Sequence, residues 1–141
     1  MNTTFHLDIV SPEGSIFSGD AEALHLRGGG GELGIFPGHL QLLTSVAPGA
    51  ARIIHDGGKQ EVLFISGGVL EVQPEQVNIM ADVVERPQDV NEAAAQQAKK
   101  EAEKALSGKL EPADYRKTLM DLEEAIAKLR VIELMRQKRR R

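Results

Sequence analysis

Four histidines are the side chains in this sequence best suited to bind a metal or carry a proton, but their spacing assembles no site. Zinc ligands recur at short, fixed intervals and commonly combine cysteine with histidine. The 141 residues include no cysteine, and no two histidines stand at ligand spacing. We therefore expect no bound metal and no thiol nucleophile. The four histidines are His6, His25, His39 and His55.

A glycine-rich stretch, residues 28–39 with the sequence GGGGELGIFPGH, could in principle cradle a phosphate. A Walker loop needs a lysine and then serine or threonine at the start of a helix, whereas Gly31 is followed by Glu32. A dinucleotide loop needs a βαβ unit, and no helical pattern occurs before residue 89. Ser66 lacks the strand-to-helix turn and the neighbouring base of a hydrolase nucleophile. We expect neither a nucleotide loop nor a catalytic centre.

The same stretch is better suited to docking another protein. Glycine has no side chain to bury and loses the most conformational freedom on folding, so four in succession indicate a backbone that bends or lies close to something. Pro37-Gly38 predicts a type II turn, in which glycine takes the positive φ of the third position. We expect this turn to hold Ile35, Phe36 and His39 at its rim, available to a partner.

The elements that must position this loop are β-strands. From Thr4 to about Val84, short runs rich in Val, Ile, Leu and Phe are interrupted every few residues by Gly, Pro, Asn or Asp. This pattern is typical of an all-β sandwich or barrel. Asp56-Gly57-Gly58 marks one of its hairpins. We expect roughly eight to ten strands in this part of the chain.

The second half of the chain is predicted to be helical. Arg86-Pro87 marks the boundary, because proline ends a strand and biases the residue before it away from helix. Asp89, with Glu92 three residues later, predicts a capping box at the start of the first helix. An alanine-rich segment continues that helix to about Leu106, where Ser107-Gly108 stops it.

A second helix is predicted from Glu111-Pro112 through Arg136 or beyond, with proline in its first turn. The short loop between the helices predicts an antiparallel αα-hairpin. Because the first helix offers mostly alanine, the pair buries little apolar area, and at roughly 25 cal/mol per Å² it is marginal by itself. Large apolar residues recur every three or four positions, and we expect this stripe to face the first helix. The stripe comprises Tyr115, Leu119, Leu122, Ile126, Leu129 and Ile132.

Charge divides the chain at the same boundary. Residues 1–86 carry 4 Lys/Arg against 11 Asp/Glu, and residues 87–141 carry 13 against 10, so net charges of −7 and +3 make up the total of −4. The basic C-terminal end could bind nucleic acid, but the acidic whole and the single aromatic residue of the second half argue against it. An acidic protein surface is the expected partner, with a merely solvated helix end as the alternative. No basic leader or long apolar run is evident, so we expect neither a signal peptide nor a membrane span.

Four blocks of the sequence, in this order, resemble the epsilon subunits of bacterial F-type ATP synthases. They are FHLDIVSPEG at 5–14, GELGIFPGH at 31–39, ISGGVLEVQ at 65–73 and LRVIEL at 129–134. The resemblance implies a ten-stranded β-sandwich over residues 1–86 and an antiparallel two-helix hairpin over residues 87–141. It also implies a non-catalytic rotor subunit of the central stalk. Such a subunit lies at the cytoplasmic face of the inner membrane, reaches the membrane only through its complex, and couples c-ring rotation to ATP synthesis.

The same resemblance assigns partners to the glycine-rich stretch. The sandwich would bind the gamma subunit and sit on the ring of c subunits. Glu32 would face a basic residue of a c subunit, an exposed ion pair worth only about 0 to 1 kcal/mol. Contacts with the c ring are expected at Gly31, Glu32, Leu33 and Gly34, and contacts with gamma at Ile35, Phe36 and His39.

The helical hairpin of this family is a regulator. Docked on the sandwich it permits turnover, and extended into the alpha/beta catalytic head it stops ATP hydrolysis. Its basic end would then meet an acidic stretch of the beta subunit. The residues expected to make this inhibitory contact are Lys128, Arg130, Arg136 and Lys138.

Some members of the family bind ATP on the hairpin through an Ile/Leu-Asp-x-x-Arg-Ala motif. Here Asn91 and Ala94 replace the aspartate and the arginine, and Glu124 and Lys128 stand where those members offer arginines. Neutral or acidic groups cannot hold a triphosphate as a guanidinium does. We therefore expect no ATP and no other cofactor on this chain.

Two other interpretations stay open at this stage. The chain could be a stand-alone nucleotide-sensing module, which the altered helix motif argues against. It could also be a small hydrolase built on the sandwich, which the lack of a convergent acid, base and nucleophile argues against. Co-purification separates the three, because a rotor subunit travels with gamma and the c ring, a sensor with ATP, and an enzyme with neither.

Overall fold

A computed structural model describes residues 3–139, and the side chains of residues 3–137. Nine strands are followed by a single 3-10 turn at Pro87–Asp89 and two α-helices. The strands are β1 Phe5–Ser11, β2 Gly14–Gly28, β3 Gly31–Ile35, β4 Leu42–Val46, β5 Gly49–His55, β6 Gln60–Ile65, β7 Gly68–Val72, β8 Gln76–Ala81 and β9 Val84–Glu85. The helices are α1 Glu92–Leu106 and α2 Pro112–Arg139. The predicted β-sandwich followed by a helical hairpin is confirmed.

The long strand β2 organises the β part. Its first half pairs with β1, and its second half pairs with β3 and β5. The register shifts between Ala21 and Ala23, which marks a bulge at Glu22 where the strand bends. One bent strand of 15 residues thus pairs on both sides of the bend. This accounts for nine strands in the described residues instead of the ten that the resemblance implies.

The sheet wraps around one apolar core. Its order is β1-β8-β7-β4-β2-β5-β6-β9, with β3 on β2 and a further pairing of β1 with β2. Strands alternate their side chains between two faces, so Phe5, Leu7 and Ile9 of β1 point inward and are at most 2% exposed. The inward residues of β2, β5, β7 and β8 complete the same cluster. The turns between the strands are therefore anchored to a well-packed apolar core.

Strand β6 is buried on both faces, because a second cluster lies outside the sheet. Leu63 points into the sandwich core, whereas Val62 and Phe64 point outward and are 5% and 0% exposed. Ala127 and Val131 of α2 cover them. The hairpin is therefore docked on the outer face of β5 and β6 in this structure.

The helix boundaries agree with the sequence prediction, but the cap does not. α1 ends at Leu106 and α2 begins at Pro112, as expected. The predicted N-cap, Asp89, lies instead in the 3-10 turn, and the side chain of Asn91 accepts the cap hydrogen bond from the Ala94 amide at 3.0 Å. Asparagine is as good an N-cap as aspartate, and the extra turn moves the helix start by two residues.

The predicted interface stripe of α2 is wrong. Tyr115, Leu119 and Ile126 are 48%, 38% and 47% exposed, and Leu122, Leu129 and Ile132 are only partly buried. The fully covered positions of α2 are Ala125, Ala127 and Val131. Ala127 and Val131 lie against Val62 and Phe64 of the sandwich, so part of the covered face of α2 is turned towards the sheet instead of towards α1.

Candidate interaction surfaces

The glycine run forms a tight hairpin pressed against a neighbouring strand. Gly28 and Gly31 are opposite each other at the ends of β2 and β3, so Gly29 and Gly30 form the turn. The Gly29 amide donates to the Ser45 carbonyl at 3.0 Å, and a Cβ at Gly29 would collide with the Ser45 hydroxyl. The prediction of a bend lying close to something is confirmed, and what it approaches is β4.

The Pro37-Gly38 turn has the predicted geometry. Gly38 has φ +80°, and the His39 amide donates to the Phe36 carbonyl at 3.2 Å, as a type II turn requires. The Gly38 amide donates to the Pro74 carbonyl at 3.2 Å. The turn is therefore fixed to the loop between β7 and β8 as well as to its own ends.

The rim of this turn differs from the prediction at one residue. Phe36 is 53% exposed and touches the His25 ring edge-on, with 5.7 Å between the centroids, and His39 is partly exposed. Ile35 is 0% exposed and lies in the core opposite Leu24, so the expectation that it stands at the rim is wrong. β3 continues to residue 35, and strand alternation turns that side chain inward.

Two exposed leucines beside the turn were missed by the sequence reasoning. Leu40 is 84% exposed and Leu43 is 70% exposed, more than any residue predicted at the rim. A usable signal was present, because adjacent residues of a strand point to opposite faces. With Leu42 partly buried against the core, Leu43 has to face outward.

The four residues predicted to meet the c ring do not present one surface. Glu32 is exposed opposite Arg27, while Leu33 is partly buried against the core. A Cβ at Gly31 would meet no atom within 4 Å, whereas a Cβ at the exposed Gly34 would lie 3.2 Å from the Phe36 ring. A carboxylate flanked by glycine backbone is thus what this hairpin offers to solvent.

The cations predicted to act on the catalytic head are partly engaged within the docked chain. Lys128 Nζ lies 3.4 Å from Glu85, 3.6 Å from Glu124 and 5.3 Å from the centre of the Phe64 ring. Both guanidinium nitrogens of Arg136 donate to the Glu92 carboxylate, at 3.1 and 2.6 Å. These hydrogen bonds raise the pKa of Arg136 above its ordinary value. Lys128 ties α2 to the end of the sandwich, and Arg136 ties it to the start of α1.

The other two cations have different surroundings. Arg130 is exposed on the side of α2 that borders the sandwich, where it lines a cleft together with Arg27 and Glu32. The side chain of Lys138 lies outside the described residues.

The outer face of β1, β8, β7 and β4 is not covered by the hairpin. A chain of hydrogen bonds crosses it, with Gln76 donating to Asp8 and Asn78, and Asn78 donating to Glu71. The Ser18 hydroxyl, with further help from Gln76 and His6, holds the pKa of Asp8 below its usual value despite partial burial. Beside this network Val10, Met80 and Val69 are register neighbours on three adjacent strands, and all are exposed.

Residues 3–139 contain no group of three or more His, Cys, Asp or Glu side chains arranged to hold a metal ion. Over the same described range, neither helix has the length and apolar character needed to cross a bilayer.

Two family models match consecutive parts of the chain. The β-sandwich domain of the ATP synthase delta/epsilon chain matches residues 4–87, and the long α-helix domain of the same chain matches residues 88–133.

Solved structures show the same fold. A chain of the Euglena gracilis mitochondrial ATP synthase, in a structure of OSCP, F1 and the c-ring, superposes with a TM-score of 0.80 at 23% identity over 90% of this chain and 80% of that one. A chain from the central stalk and c-ring of the Tetrahymena thermophila mitochondrial ATP synthase gives 0.54 at 14% identity over 62% and 69%. The fold is shared with both, and the family matches, which span residues 4–133, show that this chain belongs to the ATP synthase delta/epsilon family.

Proposed function

We propose that this protein is a non-catalytic rotor subunit in the central stalk of an F-type ATP synthase, where it couples c-ring rotation to ATP synthesis. The observation that carries the proposal is the match of both family domains, sandwich and helix, over residues 4–133. The two similar solved chains come from ATP synthase assemblies that contain a c-ring. We place the protein at the cytoplasmic face of a bacterial inner membrane, attached through its partners.

The glycine hairpin and the adjacent turn are the proposed contact region. Glu32, between accessible glycines, is suited to a basic residue of a c subunit. Phe36 and His39, joined by Leu40 and Leu43, form an exposed apolar rim suited to gamma. The turn is held by backbone hydrogen bonds to its own residues and to Pro74, so these side chains are ordered before a partner binds, which lowers the entropic cost of association.

The hairpin is proposed to inhibit ATP hydrolysis when it leaves the sandwich. Lys128 and Arg136 are paired with Glu85 and Glu92 in the docked state. To reach acidic groups on the beta subunit, Lys128 must leave Glu85 of the sandwich and Arg136 must leave Glu92 of α1, so docking competes with inhibition for Lys128 and pairing of the two helices competes with it for Arg136. Arg130 and Lys138 are assigned to the same inhibitory contact.

We further propose that the hairpin does not bind ATP. A groove of about 520 Å³ lies between α1 and α2, and its charged lining is mostly acidic. Lys128, its cation, is already paired, and the Asn91 side chain is used as the helix cap. A triphosphate in this groove would meet like charge without a guanidinium to offset it. The acidic residues are Glu85, Asp89, Glu101, Asp121 and Glu124.

Reconstitution with the remaining subunits tests the proposed function. The full chain should co-purify with gamma and the c ring, and deletion of residues 87–141 should raise ATP hydrolysis while assembly is retained. Because the deletion uncovers Phe64, a second variant is needed. The double change Ala50→Cys and Ala127→Cys places one cysteine on each side of the docked interface, within one apolar cluster; its oxidised form should hydrolyse ATP as fast as the deletion, and reduction should restore inhibition.

The alternative function, a stand-alone nucleotide sensor, is tested by co-purification together with calorimetry. A chain that binds ATP with micromolar affinity in calorimetry and fails to co-purify with gamma would support the sensor and refute the rotor subunit.

A further inference from the structure

A cleft between α2 and the sandwich brings together three arginines from three different elements. Arg27 comes from β2, Arg52 from β5 and Arg130 from α2. The cleft has a volume of about 390 Å³, which falls within the range of roughly 300 to 1,000 Å³ of small-molecule sites. It is formed by a different side of α2 from the acidic groove, and the two cavities share no lining residue.

None of these guanidiniums forms an ion pair or a hydrogen bond within the described residues. No carboxylate oxygen lies within 4.0 Å of any of the three, and none of their side chains makes a hydrogen bond in residues 3–137. This contrasts with Lys128 and Arg136 on the same helix, both of which are paired. Docking of α2 brings Arg130, together with the carboxylate of Glu123, beside the two arginines of the sandwich, and it leaves all three guanidiniums available to an anion.

The walls of the cleft favour a small ligand. The turn at Pro48 and Gly49 forms one side, and a Cβ at Gly49 would lie 3.3 Å from the Cβ of Arg27. Ile126 and Leu134 of α2 form an apolar side. Arg52 is partly buried, whereas Arg27 and Arg130 are exposed, so of the three charges that of Arg52 is screened least by water.

Two carboxylates also line the cleft, and they narrow the choice of anion. Glu32 and Glu123 leave a net charge of +1 when counted against the three arginines. Sulfate has no proton to donate to a carboxylate, although it carries the same charge as hydrogen phosphate. Hydrogen phosphate retains one O–H, which can donate to a carboxylate while its other oxygens accept from guanidinium forks.

We propose that this cleft is a binding site for a hydrogen-phosphate group, which bridges Arg130 of the hairpin to Arg27 and Arg52 of the sandwich. A ligand that binds only when α2 is docked stabilises the docked state by mass action. At ten times its dissociation constant, phosphate would make the undocked hairpin about tenfold rarer. The site is a property of the docked chain alone, so it stands or fails independently of the proposed rotor function.

Titration of the full-length chain with inorganic phosphate, at an ionic strength held constant with potassium chloride, tests the site. We expect saturable binding by calorimetry, and a loss of affinity of about tenfold or more in each of Arg52→Gln and Arg130→Gln, since a hydrogen bond to a charged group carries at least that much. Arg116→Gln is the matched control, because it removes the same charge from an exposed position of α2 outside the cleft. Binding by Arg130→Gln equal to that of the unmodified chain would overturn the proposal.

A second readout tests the bridge itself. Phosphate should slow amide hydrogen exchange in residues 123–134 of α2 in the unmodified chain and in Arg116→Gln, but not in Arg130→Gln. Sulfate at the same ionic strength should have a weaker effect, and an equal effect of both anions would indicate screening and refute the site. Competition by ATP that is lost in Arg52→Gln would identify a nucleotide phosphate as the ligand, and no competition would identify free phosphate; either result supports a phosphate site.

Discussion

The sandwich has two outer faces, and they differ in how they are covered. The face of β5 and β6 carries Val62 and Phe64 under helix α2, whereas the face of β1, β8, β7 and β4 is open to solvent. The open face is tied by hydrogen bonds that cross from strand to strand. The covered face is held by a small apolar cluster and by the partly exposed ion pair of Lys128 with Glu85. The hairpin, which can be released, is thus attached to a sandwich whose strands are held together by hydrogen bonds.

The largest effect is expected from a charge placed under the hairpin. Val131→Asp puts a carboxylate at a position that is 0% exposed against Val62 and Phe64. An uncompensated buried charge costs roughly 3 to 5 kcal/mol, so α2 should leave the sheet while the sandwich stays folded. Hydrogen exchange should accelerate by more than tenfold in α2 and change little in β1 and β8.

Met120→Asp is the control for that change, because Met120 is 61% exposed on the same helix. Equal acceleration in α2 and in the sandwich strands of Val131→Asp would mean that the two parts unfold together, and the contrast between the faces would be lost.

The second-largest effect is expected at the exposed rim, where substitutions should weaken binding to gamma without destabilising the fold. Leu40→Asp and Leu43→Asp change residues that are 84% and 70% exposed, so the free energy of unfolding should move by no more than about 0.5 kcal/mol. Affinity for gamma should nevertheless fall by at least about tenfold, because truncation of a buried interface anchor costs upward of 1 to 2 kcal/mol. Thermal unfolding and pull-down with gamma measure the two. Met120→Asp, on the exposed side of α2, is the matched apolar control.

A smaller effect is expected at the lysine that fixes α2 to the sandwich. Lys128→Gln removes contacts to Glu85 and to the Phe64 ring, and partly exposed pairs of this kind contribute about 1 kcal/mol or less. Exchange in α2 should accelerate a few-fold, and raising the salt concentration should produce part of the same change in the unmodified chain. If salt accelerates exchange in α2 of Lys128→Gln and of Arg136→Gln as much as in the unmodified chain, charges other than these two are responsible for the salt effect.

The smallest effect is expected in the pH dependence of the unfolding free energy, through Asp8 on the open face. The folded-state pKa of Asp8 is lowered, so its carboxylate adds stability above the unfolded value of 3.8, and this stability is lost as pH falls through the lower folded value. Asp8→Asn should therefore flatten the dependence of unfolding free energy on pH below about 4. Denaturant unfolding at several pH values measures it. The same acid dependence in both proteins would show that the network around Asp8 does not favour the ionised form.

Short-range signals predicted much of this structure. The two-residue alternation of Phe5, Leu7 and Ile9 predicts a strand with one buried face, and Pro112 and Ser107-Gly108 fix helix ends to within a residue. The Pro37-Gly38 turn follows from the φ values that these residue types allow. Each of these features is decided by residues that are neighbours in sequence.

The errors come from surfaces that meet across long sequence separations. The apolar periodicity of α2 points to the helix face with the largest side chains. The face that is covered in the structure is instead the one whose small side chains fit against the alanines of α1 and against Phe64. Pairs such as Lys128 with Glu85 or Arg136 with Glu92 join residues more than forty positions apart, and no local pattern indicates them. The arginine cleft is of the same kind, since it exists only where α2 meets β2 and β5.

Strand β6, with apolar side chains on both of its faces, makes the docking equilibrium depend on temperature. When α2 leaves, Val62 and Phe64 become hydrated, and hydration of apolar surface raises the heat capacity. Apolar attraction weakens on cooling. The hairpin should therefore undock more readily at low temperature, because its docking depends on burial of this small apolar patch.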